Sequence, residues 1–514
     1  MAGPLSLFTR RAMPGQARDS QRVPATQQQP FRLVTPLARA ALLLGAAGGF
    51  VLASVLSVSL ALRAPLGVWW VALAQAHGHL QVYGWAGLFV LAVAFHFLPR
   101  LRGAPLRWPR LTPWILGALV AGLVTRAVSQ PLLALAPGVW LWRALLIASG
   151  LLEAAGLGLA VALLIGTATR PDAPKLRQRP ALWSVWPFLL CVGLSLGLAA
   201  LINLGNVFTA ATGVGVVATA GDDANVTLGL LGFLVPMAVA MSARALPLYA
   251  GLEAISRRVL WPIAFTYVAG LALALVGLLG ESGATTAGAF LGRVEGLGLA
   301  LIGLALAAFI SIVARLMAAR GRLPAKVRAL APAPEQVARG YTTHVADERA
   351  RFGPYVACIA SAYLWAFVGG LLLLVDGVAL ALGQVAIVTL DAARHSLAVG
   401  FIALLLAGVS VRMIPGFSGG SIATPRLVTA LLWLGNGAAL LRVGSLLAQP
   451  ALAAWGSAGA TVESALFGLS GPIGLTFAVC LAITLWPALL MRKAGVTPAS
   501  GAARESEAAA PTAR

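Results

Sequence analysis

Between residues 37 and 491 the chain runs as long apolar stretches separated by short polar ones. A helix crossing roughly 30 Å of hydrocarbon needs about 20 apolar residues. Twelve stretches meet that requirement: 37–62, 74–99, 113–135, 139–168, 183–205, 226–249, 257–279, 288–314, 353–377, 385–411, 427–447 and 464–491. The pattern predicts an all-α membrane protein with twelve transmembrane helices. Residues 1–36 and 492–514 read as disordered polar tails, and 320–351 as the largest connection between helices. The first tail is Arg-rich with one acid, Asp19, which also resembles a mitochondrial transit peptide. No cleavable secretory signal is evident, because the first apolar run begins late and is long.

Inside this uniform pattern one phrase recurs three times. His79-Leu80-Gln81-Val82-Tyr83-Gly84-Trp85 returns as Thr227-Leu228-Gly229-Leu230-Leu231-Gly232-Phe233 and as His395-Ser396-Leu397-Ala398-Val399-Gly400-Phe401. Twenty residues after each first position stands Pro99, Pro247 or Pro415. His96, Arg244 or Arg412 precedes that proline by three, and Gly103, Gly251 or Gly419 follows it by four. The phrases open the second, sixth and tenth apolar segments, so the repeating unit is four helices. An even number of helices keeps every copy in one direction through the membrane, as in parallel repeats about an axis along the membrane normal. The expected arrangement is three four-helix arcs with pseudo-threefold symmetry. Proline then glycine reads as helix termination, with the basic side chain satisfying last-turn carbonyls.

Composition agrees: 59% of residues are hydrophobic and 10% charged, with a mean hydropathy of +0.89. Charge then sets the orientation. The net +21 is 37 Lys+Arg minus 16 Asp+Glu, and with the N-terminus inside, the inward segments hold 30 of the 37 bases. Cationic loops stay on the cytoplasmic side, so both termini are expected there. The basic excess is a topology signal that also attracts anionic lipid. No basic patch carries the interleaved aromatics of a nucleic-acid surface. Cys191, Cys358 and Cys480 stand singly in separate segments and read as buried apolar residues.

Candidate chemistry falls on histidine. His344 lies in the 320–351 connection; His77, His79 and His96 lie in the second segment and His395 in the tenth. Ionisable residues within a membrane are costly and mark function. Two imidazoles at equivalent repeat positions, His79 and His395, suit two-sided ligation of a haem iron or a copper ion. His77 and His79 point roughly 200° apart on a helix, so both cannot ligate one iron: they face two sites, or one is a ligand and the other its support. Asp391, one turn before His395, is placed to hold that ring's proton. Gly84 and Gly400 allow either close helix packing or room for a flat cofactor. Tyr83, Trp85 and Arg394 are near enough in sequence to line the pocket. Met237 and Met241 could offer soft sulfur, and Glu153, Glu295 and Asp376 a proton path.

The phrases His77-Gly78-His79-Leu80, LVPMAVAMSARALPLY in the sixth segment, and RHSLAVGF with RMIPGFSGG in the tenth resemble the NnrS family. Those are bacterial membrane proteins containing haem and copper and linked to nitric-oxide response. The resemblance implies haem b and copper, electron transfer or metal handling, nitric oxide as a gaseous ligand, and a redox partner protein. That family reads approximately H-A-H-E-M and H-A-L-T-V-G where this chain has His77-Gly78-His79-Leu80-Gln81 and His395-Ser396-Leu397-Ala398-Val399-Gly400, a departure that weighs against copper more than haem. More distantly the plan is similar to haem-copper oxidase subunit I, whose pattern favours His77 over His79. An oxidase-like subunit is then the alternative, without the copper-ligating histidines on helices six and seven that such catalysis needs. A cofactor-free secondary transporter with twelve helices is the alternative of a different class.

Overall fold

Apolar chain in hydrocarbon must bond its own backbone groups, and helices do so within one segment. A computed structural model describes residues 25–249, 255–280, 286–318, 347–418 and 420–490. Among the described residues there are no strands, and twelve helices are long and apolar enough to span a membrane. They are α1 (Leu33–Ala61), α2 (Val68–Arg102), α3 (Pro109–Leu135), α4 (Trp140–Ala168), α5 (Pro180–Thr212) and α6 (Thr219–Leu246). Then follow α7 (Arg257–Gly280), α8 (Gly288–Arg315), α9 (Tyr355–Ala381), α10 (Leu390–Ser418), α11 (Pro425–Ala453) and α12 (Gly456–Leu489). Most of the N-terminal tail, the C-terminal tail and most of the 320–351 connection, His344 included, lie outside the described residues.

The largest difference from the expected boundaries is at the N-terminus. Helix begins at Ala25, inside the stretch expected to be a disordered tail. Val34, Leu37, Ala38, Ala41 and Leu42 are buried at the i, i+3, i+4 spacing of one helix face. Hydropathy missed this turn because Arg32 and Arg39 dilute it.

The three helices that carry the repeated phrase form the centre. In their most apolar windows α2 is 89% buried, α6 83% and α10 72%, against at most 56% for the other nine. Each central helix changes its hydrogen-bond register just after the first position of the phrase. Leu80–Gly87, Leu228–Leu234 and Ser396–Ala403 are π-helical, a wider turn that is rare and concentrates at functional sites. The π-segments of α2 and α6 touch, as do those of α6 and α10.

The repeated glycines lie within these segments. A Cβ on Gly84 would sit 3.3–3.4 Å from Leu123 and Leu44, one on Gly232 2.4 Å from the Ser195 hydroxyl, and one on Gly400 2.4 Å from the Trp365 ring. They admit neighbouring helices, and close packing explains them without a cofactor. Trp365 cannot yield easily, because its indole N–H donates to Asn436 Oδ1 at 3.0 Å. Overpacking costs about 1–3 kcal/mol, which outweighs alanine's helix gain of roughly 1 kcal/mol. Gly400→Ala should therefore lower the thermal midpoint in detergent. Gly193→Ala should hold or raise it, since a Cβ there meets no atom within 4 Å.

α2 ends as its sequence predicts: Gly103 takes φ +71°, and its N–H reaches the Pro99 carbonyl at 2.8 Å. Arg412 Nε donates to the Glu348 carboxylate at 3.0 Å, while the His96 ring stacks 4.1 Å from Phe417.

Candidate functional site

A cavity of about 270 Å³ lies between α1, α2, α6, α10, α11 and α12, near the lower end of ligand pockets at roughly 300–1,000 Å³. Its polar wall is His77, Gln81, Asp391, Arg394, His395 and Arg442. The α2 side depends on α1, whose Gly-Ala-Ala-Gly-Gly run forms a π-turn at Gly45–Gly49. A Cβ on Gly45 would fall 2.2 Å from the Trp85 indole, and one on Gly49 3.0 Å from the Gln81 amide. Small residues here let α2 approach closely enough for His77 Nδ1 to reach the Gly49 carbonyl at 2.9 Å. A carbonyl only accepts, so the proton sits on Nδ1 and leaves the Nε2 lone pair bare.

His395 is held the same way from α10. Its Nδ1 lies 2.9 Å from Asp391 Oδ1 and 3.0 Å from the Asp391 carbonyl. Both are acceptors, so again Nε2 is the open nitrogen. Arg442 on α11 donates to Asp391 Oδ2 at 2.8 Å and lies 3.9 Å over the Phe467 ring. Arg394 donates to Asp223 Oδ1 of α6 at 2.6 Å. Two imidazoles with anchored Nδ1 atoms and two guanidiniums thus face one apolar chamber, and Nε2 bonds of neither histidine are spent on the protein.

His79 is elsewhere. The repeat pairs it with His395, but it points away from the cavity into a buried polar cluster, with 2% of its surface exposed. Its Nδ1 meets Glu153 Oε2 at 2.8 Å, and its Nε2 is buried without a partner. Glu153 also accepts from Asn203 at 3.3 Å and lies 3.9 Å from Arg126. Arg126 donates to Asn203 at 2.6 Å and Gln130 at 2.9 Å. Gln130 in turn donates to Gln75, and Gln75 to the Val217 carbonyl, each at 2.9 Å. The 200° between successive-but-one helix positions separates the two histidines, as their spacing requires.

Other expected site residues are likewise outside the chamber. Tyr83 donates to the Asn225 carbonyl and side chain at 3.1 and 3.0 Å; Gly84 and Gly400 serve helix packing. Met237 and Met241 line a separate apolar groove. Asp376 accepts the Ile387 and Val388 N–H groups at 2.9 and 2.8 Å, anchoring the approach to α10. Glu153 is in the middle of α4 with none of its surface exposed. Among the described residues no group of three or more His, Cys, Asp or Glu is placed to hold a metal ion.

No protein-family model matches this chain, and no curated protein does. The chamber's geometry and the repeated phrase therefore carry the functional argument.

Arg442, Gln81 and the α1 glycines were not singled out by sequence. The Gly45-Ala46-Ala47-Gly48-Gly49 run was the available signal: three glycines in five residues are costly in a helix and mark a close approach. Arg442, a lone charge in an apolar segment, was another.

Proposed function

We propose that the chamber is the site of a haem b, which His77 and His395 would hold, in a membrane protein of the NnrS type. The observation that carries the reading is the matched pair of rings: both line the same space, and each spends Nδ1 on an oxygen acceptor while its Nε2 makes no bond to the protein. Metal-bound histidines are anchored in this way through the other ring nitrogen, which fixes the tautomer and raises ligand basicity. Arg394 and Arg442 offer positive charge to an occupant's carboxylates. Apolar walls from α1, α2, α6 and α12 exclude water.

A haem held by two imidazoles supplies one-electron transfer. The chain's own part is to fix both rings, balance charge through the Asp391–Arg442 and Asp223–Arg394 pairs, and keep the space dry. Nitric-oxide response, metal handling and a redox partner protein come from the NnrS resemblance; copper is the weaker part, since neither methionine reaches the chamber.

The finer architecture belongs to the same proposal. We read α1–α4, α5–α8 and α9–α12 as three arcs about a pseudo-threefold axis, with both termini in the cytoplasm of a bacterium. Two observations support the arcs: the π-turn starts at one frame position in all three central helices, and each repeated glycine admits a side chain of the helix just before it, from Leu44, Ser195 or Trp365.

The test is a spectrum. Protein purified in mild detergent from haem-replete cells should show a Soret band with the sharp visible bands of a six-coordinate haem. Gly78 lines the chamber and a Cβ there meets only Val226, at 3.9 Å, so Gly78→Leu should fill the space and lower haem content without lowering the thermal midpoint. Absence of Soret absorbance from wild-type protein would overturn the reading and favour a cofactor-free transporter.

A further inference from the structure

A second cavity, of about 190 Å³, lies at the opposite end of α2 from His77. Its walls come from the last turns of α2 and α4, the first turns of α5, and α6. Leu98, Leu101, Ile165, Leu189, Leu194 and Met241 are typical of them. Leu190 and Leu194 of α5 are 49% and 65% exposed, so the groove opens along its flank to the membrane. From Trp186 to Leu194 it runs about 12 Å at 1.5 Å per residue, most of one leaflet of a hydrocarbon core of about 30 Å.

The rim is cationic. Leu101 lines the groove between Arg100 and Arg102, and Thr169 lines it next to Arg170. The two loops that leave these turns, 100–112 and 169–180, contain eight bases and one acid, Asp172. Arg170 pairs with that acid. Arg102 is consumed internally, donating to the Ala168, Pro174 and Arg170 carbonyls, and so holds the two loops together at the mouth. Arg107, Arg110, Lys175 and Arg177 remain exposed, and Arg177 lies 5.8 Å over the Trp183 ring, one turn before Trp186. An apolar slot of leaflet depth whose end turns lead into loops carrying unneutralised cations has the chemistry of one ligand class.

We infer that this groove is a binding site for an anionic phospholipid, one acyl chain lying along α5 and the phosphate resting on the Arg107/Arg110/Lys175/Arg177 rim. Topology alone requires only that cations lie on this side of the membrane; it does not require an apolar slot directly beneath them. The inference is independent of the haem reading, because the groove shares no residue with the chamber.

The experiment is native mass spectrometry of the full chain after equilibration with phosphatidylglycerol or phosphatidylcholine of identical acyl chains. Wild-type protein should retain phosphatidylglycerol at least about tenfold better, given roughly fivefold per nearby cation. Gly193→Phe fills the groove at a position with no atom within 4 Å of a new Cβ and should abolish retention at an unchanged thermal midpoint; Met237→Phe narrows the same space from α6 should that variant fold poorly. Lys175→Gln with Arg177→Gln should reduce the preference by an order of magnitude. Equal retention of the two lipids by wild type, retention by both filled variants, or an unchanged preference in the double variant would each overturn the assignment.

Discussion

Replacing either His77 or His395 by alanine is expected to empty the chamber, while replacing His79 leaves it loaded. Partners that only support a metal-bound histidine are worth 10–100-fold in affinity, on the order of magnitude of most such losses, so losing the ligand itself should remove at least that much. Haem content per purified protein, measured from a pyridine haemochrome spectrum, should fall by more than about tenfold in His77→Ala and His395→Ala. Asp391→Asn, which keeps a hydrogen-bond acceptor beside His395 Nδ1 but removes the charge shared with Arg442, should fall by less. His79→Ala should keep its Soret band, because its ring lies against Glu153 and lines no part of the chamber. A purely structural role for the two rings is separated by adding free imidazole: in a true ligand-deletion variant it should restore absorbance, and in a misfolded one it should not. Loss at His79 with retention at His77 would reverse the assignment of the α2 ligand.

The helices were legible in the sequence; the rotation of side chains about them was not. Twelve spans were legible because hydrocarbon length and backbone bonding leave an apolar stretch no other fold. The repeated phrase falls in α2, α6 and α10, and these are the most buried of the twelve helices. What the phrase encodes is a change of hydrogen-bond register, and hydropathy carries no information about register. Aligning His79 with His395 by frame matched position along the axis only. The α2 side chain that faces the chamber is two residues earlier, because α1 presents the Gly49 carbonyl there. That contact spans 28 positions in sequence, and Arg442 reaches Asp391 across 51; neither is visible without the fold. The Asp391–His395 contact was legible because the two residues are one helical turn apart, a local relation that spacing alone fixes. Glu153, expected on a proton path, lies midway along α4, between Trp140 and Ala168, with its carboxylate committed to His79 and Asn203.

That buried glutamate leads to the second large effect. Glu153 and Arg126 are each about 1% exposed and share Asn203 as a hydrogen-bonding neighbour. Removing one member strands the other charge among α2, α3, α4 and α5, where water cannot reach it. Breaking a buried pair costs about 3–5 kcal/mol, whereas replacing both members with apolar residues of similar volume is often neutral. Arg126→Met and Glu153→Leu should therefore each lower the thermal midpoint in detergent sharply. The double variant should be more stable than either single one. His79 complicates Glu153→Leu, because its Nδ1 then loses its acceptor while its Nε2 is already without one; the glutamate variant should be the worse of the two, and His79→Leu on the double background should recover more. Haem content of the folded fraction should stay near wild type throughout, since none of these residues lines the chamber. Single variants within about 0.5 kcal/mol of wild type, the range of ordinary surface changes, would show that these charges are not buried against one another. Strictly additive losses in the double variant would show that they are not coupled.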